Sequence, residues 1–248
     1  MKSVSLSWYS RAVRHCLPDI AVTLPLGDGY GLQVSVKRHV GLLRTRTRAR
    51  EYATALRLAS LTGPRGVIYD VGANIGLYTI AFAANRSRIV HSFEPSELAL
   101  PYLRRNVSTN RLQYVQVHPV LLSDAPGTRN FVLDHLTTAQ SHVGDSSECG
   151  ISTGCIDLDS YVREHSLPAP DLVKIDVEGH DLSVLRGMAN VLSGKPAIHV
   201  EGGVRTDDGR LEAILYLAQH GYSMLNLEQT TQLSPDTLEY AFLAICKA

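Results

Sequence analysis

The 248-residue chain has little cysteine, no excess of either charge and no long apolar run. Its four cysteines, Cys16, Cys149, Cys155 and Cys246, form no C-x-x-C pair, so neither a zinc site nor a disulfide framework is indicated and reduced thiols are expected. Lys plus Arg and Asp plus Glu both number 24, which removes any global pull toward nucleic acid or an anionic membrane. No stretch approaches the roughly 18 apolar residues of a membrane span. Arg11, Arg14, His15 and Asp19 interrupt the N-terminal residues, which lack the apolar core of a signal peptide. A cytoplasmic protein with a small or locally recognised partner is expected. Nothing in the sequence bears on oligomeric state.

What is there centres on residues 67–79, V-I-Y-D-V-G-A-N-I-G-L-Y-T. Val67, Ile68, Tyr69 and Val71 favour a strand, Gly72 and Gly76 a turn, and the apolar spacing then widens to helical through Leu77, Ile80, Ala81 and Ala84. A strand, a glycine turn and a helix start present unpaired backbone N–H groups to a ligand above the strand tip. Asp70, just before the first glycine, would repel a pyrophosphate and attract a cation. A ligand with an ammonium and a sulfonium fits better.

Upstream, residues 1–20 have the spacing of a short amphipathic helix, and residues 22–26 and 32–36 flank Gly27-Asp28-Gly29 as a hairpin. Lys37, Arg38, Arg44, Arg46, Arg48 and Arg50 make a basic stretch, read as a solvated face in preference to a site for an acidic substrate. Tyr52, Leu56 and Ala59 set a helix that ends near Gly63-Pro64. The organisation expected is an N-terminal extension, 1–63, packed on a single domain, 64–248.

Downstream, a second strand closes at Glu94, at about the spacing from the glycine turn at which an acid reaches a ribose diol. A third strand, 114–122, leads to Ser123 and Asp124. In a parallel sheet Asp70, Glu94 and Asp124 share the edge where open α/β sheets bind ligands, and they suit a cationic amino acid, a ribose and an adenine amino group in turn. Residues 128–157 read as a hairpin or flap crossing that edge. The fourth strand, 171–178, puts Lys174 and Asp176 on one face and Val173 and Ile175 on the other. A lysine buried there must be paired. A fifth strand, 197–201, ends in Glu201 with His199 on the same face. A helix over 211–220 and strands at 222–227 and 240–246 complete the pattern.

These stretches resemble the FkbM-type S-adenosylmethionine-dependent methyltransferases, a branch of the class I methyltransferases. The matching residues are D-V-G-A-N-I-G (70–76), F-E-P (93–95), L-L-S-D (121–124), I-D-L-D-S-Y (156–161) and L-V-K-I-D-V-E-G-H-D (172–181). The resemblance implies an α/β, Rossmann-like class I sheet of seven strands, mostly parallel with the last antiparallel, and helices on both faces. It places S-adenosylmethionine over the first strand tips and the acceptor over the fourth and fifth. Asp70, Gly72, Ala73, Asn74, Gly76, Glu94, Ser123, Asp124 and Asp176 are then the expected cofactor-binding residues. Asn74 stands where a third glycine often sits. Asn tolerates positive φ, and the missing G-x-G-x-x-G weakens a dinucleotide reading.

The chain has no Asp/Asn-Pro-Pro-aromatic segment and no Pro-Cys nucleophile, and the resemblance favours O-methylation of a hydroxyl on a small molecule, a sugar or natural product. Methyl transfer from a sulfonium is an in-line displacement, so the protein positions the acceptor, excludes water and removes a proton. His180 is the expected general base, its ordinary pKa lying nearest neutrality. Asp176 and Glu178 would orient it, the acceptor or the cofactor's ammonium. Lys174 is either a second base or, as preferred here, a structural ion-pair partner. No metal is expected; Asp176, Glu178 and Glu201 are the residues that would offer oxygen ligands to Mg²⁺. The alternatives are an RNA 2′-O-methyltransferase using the 37–50 stretch, a dinucleotide-dependent oxidoreductase and a non-catalytic interaction module.

Overall fold

The computed structural model describes residues 19–85, 87–134, 140–145, 147–201, 207–225 and 241–246, so the helix expected at 1–20 lies almost wholly outside the described residues. The hairpin pairs β1 (Ala21–Gly27) antiparallel with β2 (Tyr30–Ser35). Two helices follow, α1 (Val40–Leu43) and α2 (Thr45–Ala59). Tyr52, Ala55, Leu58 and Ala59 fall on one face of α2 and are buried. They join Tyr30, Leu32 and Val34 of β2 in a cluster with Ile68, Ile80 and Phe82, so hairpin, helix and sheet share one core. Arg48 departs from the expected solvated face: it is buried and donates to the carbonyls of Pro25 at 3.2 Å and Leu42 at 2.7 Å.

The main sheet contains β3 (Val67–Val71), β4 (Ile89–Phe93), β5 (Val115–His118), β10 (Leu172–Ile175), β11 (Ala197–Glu201), β12 (Tyr222–Leu225) and β13 (Ala241–Cys246). Their spatial order is β12-β13-β11-β10-β3-β4-β5. Only β13 runs against the others, pairing antiparallel with both β11 and β12. This is the seven-stranded class I sheet that the resemblance implies. Its central strand β10 is buried throughout, as a parallel strand covered on both faces must be.

The expected third strand, 114–122, is not one strand. β5 stays in the main sheet, while β6 (Leu121–Ser123) leaves it to pair in parallel with β9 (Ile151–Asp157). The break falls at Pro119, which has no N–H to give to a ladder. With β7 (Gly127–Val132) and β8 (His142–Val143), these strands make a separate sheet in the order β6-β9-β7-β8. The flap is therefore a small folded layer among its described residues.

Helices close both faces: α3 (Leu77–Phe82), α4 (Leu100–Thr109), α5 (Leu158–His165), α6 (Asp181–Arg186), α7 (Ala189–Ser193) and α8 (Asp207–Gln219). The I-D-L-D-S-Y stretch is a pair of caps. Asp157 accepts the Ser160 N–H at 2.8 Å at the start of α5, and Asp159 accepts those of Asn190 and Val191 at 2.8 and 3.0 Å at the start of α7. On α4, the buried Asn106 binds the Gln33 backbone through both its amide atoms and also donates to the Ile75 carbonyl at 2.8 Å. One side chain thus ties the hairpin's outer edge to the turn after β3. Among the described residues no helix is long and apolar enough to cross a membrane.

Candidate active site

The turn after β3 is pressed against the tip of β10. Gly72 has φ +75°, and a Cβ there would lie 1.8 Å from the Asp176 carbonyl oxygen, so only glycine lets the two segments meet. Asn74 takes φ +49°, the left-handed conformation its side chain tolerates. Gly76 precedes the first turn of α3 at φ +91°. Three N–H groups at the start of this turn are already paired. Gly72 and Ala73 donate to the Phe93 carbonyl at 3.0 and 3.1 Å, and Asn74 donates to Glu94 Oε2 at 2.7 Å.

Asp70 lies inside β3 and is 0% exposed. Thr79 Oγ1 donates to its Oδ2 at 2.6 Å, and Lys174 Nζ stands 3.3 Å from its Oδ1. The same ammonium donates to the Gly72 carbonyl at 2.9 Å and lies 3.4 Å from Asp176 Oδ2. Strand register makes this layer: Lys174 is opposite Asp70 on one side and His199 on the other. Burial alone would depress the Lys174 ammonium, but Asp176, Asp70 and Glu201 together hold it above its ordinary value. The cation that Asp70 attracts is therefore Lys174, and Lys174 has the ion-pair role preferred for it: kept charged, it has no lone pair with which to act as a base.

Glu94 is 6% exposed at the tip of β4. Its second oxygen, Oε1, accepts the Ser96 N–H at 2.8 Å. Burial pushes the carboxyl up to about 7, against the opposing pull of the Ser96 and Asn74 donors. It lines a cleft of about 640 Å³ that runs over the tips of β3, β4 and β10 and is closed by Phe131, Ser141 and Val143 of the small sheet. Each Glu94 oxygen keeps a second lone pair, enough for the two hydroxyls of a ribose. Phe93, Leu121, Leu122 and Phe131 give the cleft an apolar wall suited to a base. The residues present fit S-adenosylmethionine.

Ser123 and Asp124 are not among the described residues of that wall. Asp124 instead turns to Arg129, 2.6 Å from its Nη2, because β6 has left the main sheet and carries it into a surface turn. The three-acid reading sets it toward the adenine, whereas the charge it meets here is that of Arg129. Ser123 Oγ donates to Asp124 Oδ1 at 2.8 Å and lies 3.0 Å from His180 Nε2. With the serine proton committed, the pattern assigns the imidazole hydrogen to Nε2 and leaves Nδ1 as the acceptor. Burial and Arg129 hold His180 below its ordinary value, Asp124 opposing, so the ring is neutral. It lines the cleft.

A second cavity of about 730 Å³ shares Gly72, Asn74, Asp176 and Glu178 with the cleft and adds Glu51, Tyr78, Lys174 and Glu201. Glu178 adopts φ +52°, an uncommon conformation for a residue with a side chain. Burial first, then Asp176 and Asp181, push its carboxyl up to about 7. Glu201 is pushed up to about 8 by burial, Asp176 and Glu51. Tyr78 donates its hydroxyl to Glu51 Oε2 at 2.9 Å. No local pattern marks Glu51 or Tyr78 as site residues; the packing of α2 on α3 brings them there. Among the described residues no group of three or more His, Cys, Asp or Glu is placed to hold a metal ion, Asp176, Glu178 and Glu201 included. Asp176 is drawn to Lys174 instead.

Strand order, glycine turn and cleft are those of a class I, S-adenosylmethionine-dependent methyltransferase. The family described as the methyltransferase FkbM domain matches residues 70–224, more than half of the chain, and the protein belongs to it. The hexuronic acid methyltransferase AglP of Haloferax volcanii is 29% identical over 174 residues, 70% of this chain and 71% of that protein. The 31-O-demethyl-FK506 methyltransferase FkbM of Streptomyces tacrolimicus is 26% identical, covering 84% of this chain and 92% of its own. A solved structure, the precorrin-6y C5,15-methyltransferase of Geobacter metallireducens, covers 92% of this chain and 96% of its own at 16% identity with a TM-score of 0.50, a likeness of fold alone. The dinucleotide-dependent oxidoreductase alternative falls with the family assignment.

Proposed function

We propose that the protein transfers a methyl group from S-adenosylmethionine to a hydroxyl of a small molecule held in the second cavity, with Glu178 taking the proton. The observation that carries this is the position of Glu178 in the walls of both the cleft and the cavity. Glu94 would hold the ribose of the cofactor, and Gly72, Asn74 and Asp176 would face its amino-acid end. When bound, S-adenosylmethionine supplies an electrophilic methyl on sulfur, whose S–C bond breaks as the C–O bond forms in line. Glu178 accepts the hydroxyl proton in that step. Its carboxyl, near 7, is matched to the task. His180 has its Nε2 on Ser123 and is not among the cavity's described residues, so its role is to position the cleft wall. The names of the two curated relatives, for a hexuronic acid and for 31-O-demethyl-FK506, support a small-molecule acceptor over RNA.

The test is Glu178→Gln. Turnover with an accepted substrate falls about 10²–10⁴-fold while affinity for S-adenosylhomocysteine, read by calorimetry, stays within about twofold. Unchanged turnover in the folded variant overturns the assignment.

A further inference from the structure

The second cavity has an unbalanced charge. Glu51, Asp176, Glu178 and Glu201 all line it, and among the described residues its wall has one cation, Lys174. That ammonium is already committed to Asp70, Asp176 and the Gly72 carbonyl. What marks the cavity as a ligand site is its shared wall with the cofactor cleft, four residues of which belong to both. Bound S-adenosylmethionine brings an ammonium, a sulfonium and a carboxylate, a net of one positive charge. The cavity's four acids still outnumber the cations that face them.

We propose that the acceptor carries a protonated amine beside its reacting hydroxyl, and that Glu201 and Glu51 read that charge; this rests on the cavity being the acceptor site. A carboxylate at the same place would meet like charges in a partly buried wall and be rejected. A neutral polyol would find acceptors but relieve none of the repulsion. Burial and mutual repulsion hold Glu201 and Glu178 partly protonated near neutral pH, so each is a group that an incoming ammonium would return to its charged form. Glu178 remains the proton acceptor and Asp176 is held by Lys174, so the amine is placed against Glu51 and Glu201.

The experiment is calorimetry on the full chain saturated with S-adenosylhomocysteine, titrated at pH 7 with glucosamine, glucose and glucuronate as a matched set. Glucosamine is expected to bind about tenfold tighter than glucose, and glucuronate weakest. Glu201→Gln reduces the glucosamine preference at least about threefold, and so does raising the salt, which needs no variant at all. Equal binding of the three, no binding of any, or a preference for glucuronate overturns the proposal. Failure of S-adenosylhomocysteine itself to bind overturns the proposed function instead, and is read before any sugar is added.

Discussion

Lys174 Nζ lies 3.3 Å from Asp70 Oδ1 beneath the cofactor turn, and both residues are withdrawn from solvent. The pair is formed by adjacent parallel strands in register, one rung below the Gly72 turn that it supports. An acid whose position in the chain points at a ligand is therefore a structural counter-charge. This changes what its removal should do.

Asp70→Asn leaves a buried ammonium short of one partner. The expected result is a loss of about 3–5 kcal/mol of stability, measured by denaturant unfolding, with affinity for S-adenosylhomocysteine in the surviving folded fraction reduced less than tenfold. A variant of normal stability with abolished binding would return Asp70 to the role of direct ligand.

Glu94→Gln tests the ribose acid. The amide keeps one oxygen but sets an NH₂ against the N–H of either Asn74 or Ser96. Affinity for S-adenosylhomocysteine should weaken by about 10–100-fold. In the unaltered protein, affinity should rise as pH passes through about 7, where the carboxyl ionises and becomes the better acceptor. A pH-independent affinity from 6 to 8 would remove the assignment.

Asn106→Ala breaks the bridge between the hairpin and the cofactor turn. It leaves the part-buried Gln33 N–H and the Ile75 carbonyl without that partner. A loss of about 2–4 kcal/mol is expected, together with faster amide exchange in residues 30–35. Exchange unchanged in those residues would mean that the hairpin docks through its apolar face alone.

Stability should depend on pH in both directions. Glu94 and Glu178 move from an ordinary 4.5 to about 7, and Glu201 to about 8. The unfolded chain releases these protons first, so stability falls as pH rises from 4.5 through 8. Burial holds His91 and His118 at about 4 against an ordinary 6.5, with His91 and His165 adding to the shift of His118. The unfolded chain takes up protons below 6.5 that the native chain refuses, so stability also falls toward pH 4. The thermal midpoint should be highest between pH 4.5 and 6.5, where the trends offset, and Glu201→Gln should flatten the alkaline limb. A midpoint that climbs from pH 6.5 to 8 would contradict the raised carboxyls.

The order of elements is determined by the sequence alone, because strand alternation, helical spacing and glycine turns are properties of neighbouring residues. Residues 67–79 carry their strand, turn and helix in plain view. Asn74 in the left-handed region and the hairpin around Asp28 are equally local. The family motifs add the strand order and the cofactor, since they tie distant stretches to one known sheet. Tertiary structure alone decides which acid meets what. Asp70, Glu94 and Asp124 look alike as acids after strands, yet one faces Lys174, one faces two N–H groups in the cleft and one faces Arg129. The reason is that a carboxylate takes its role from whatever counter-charge or donor adjacent strands bring within a few ångströms. Adjacency in the sheet, β10 beside β3 and β6 outside it, is set by packing over the whole chain.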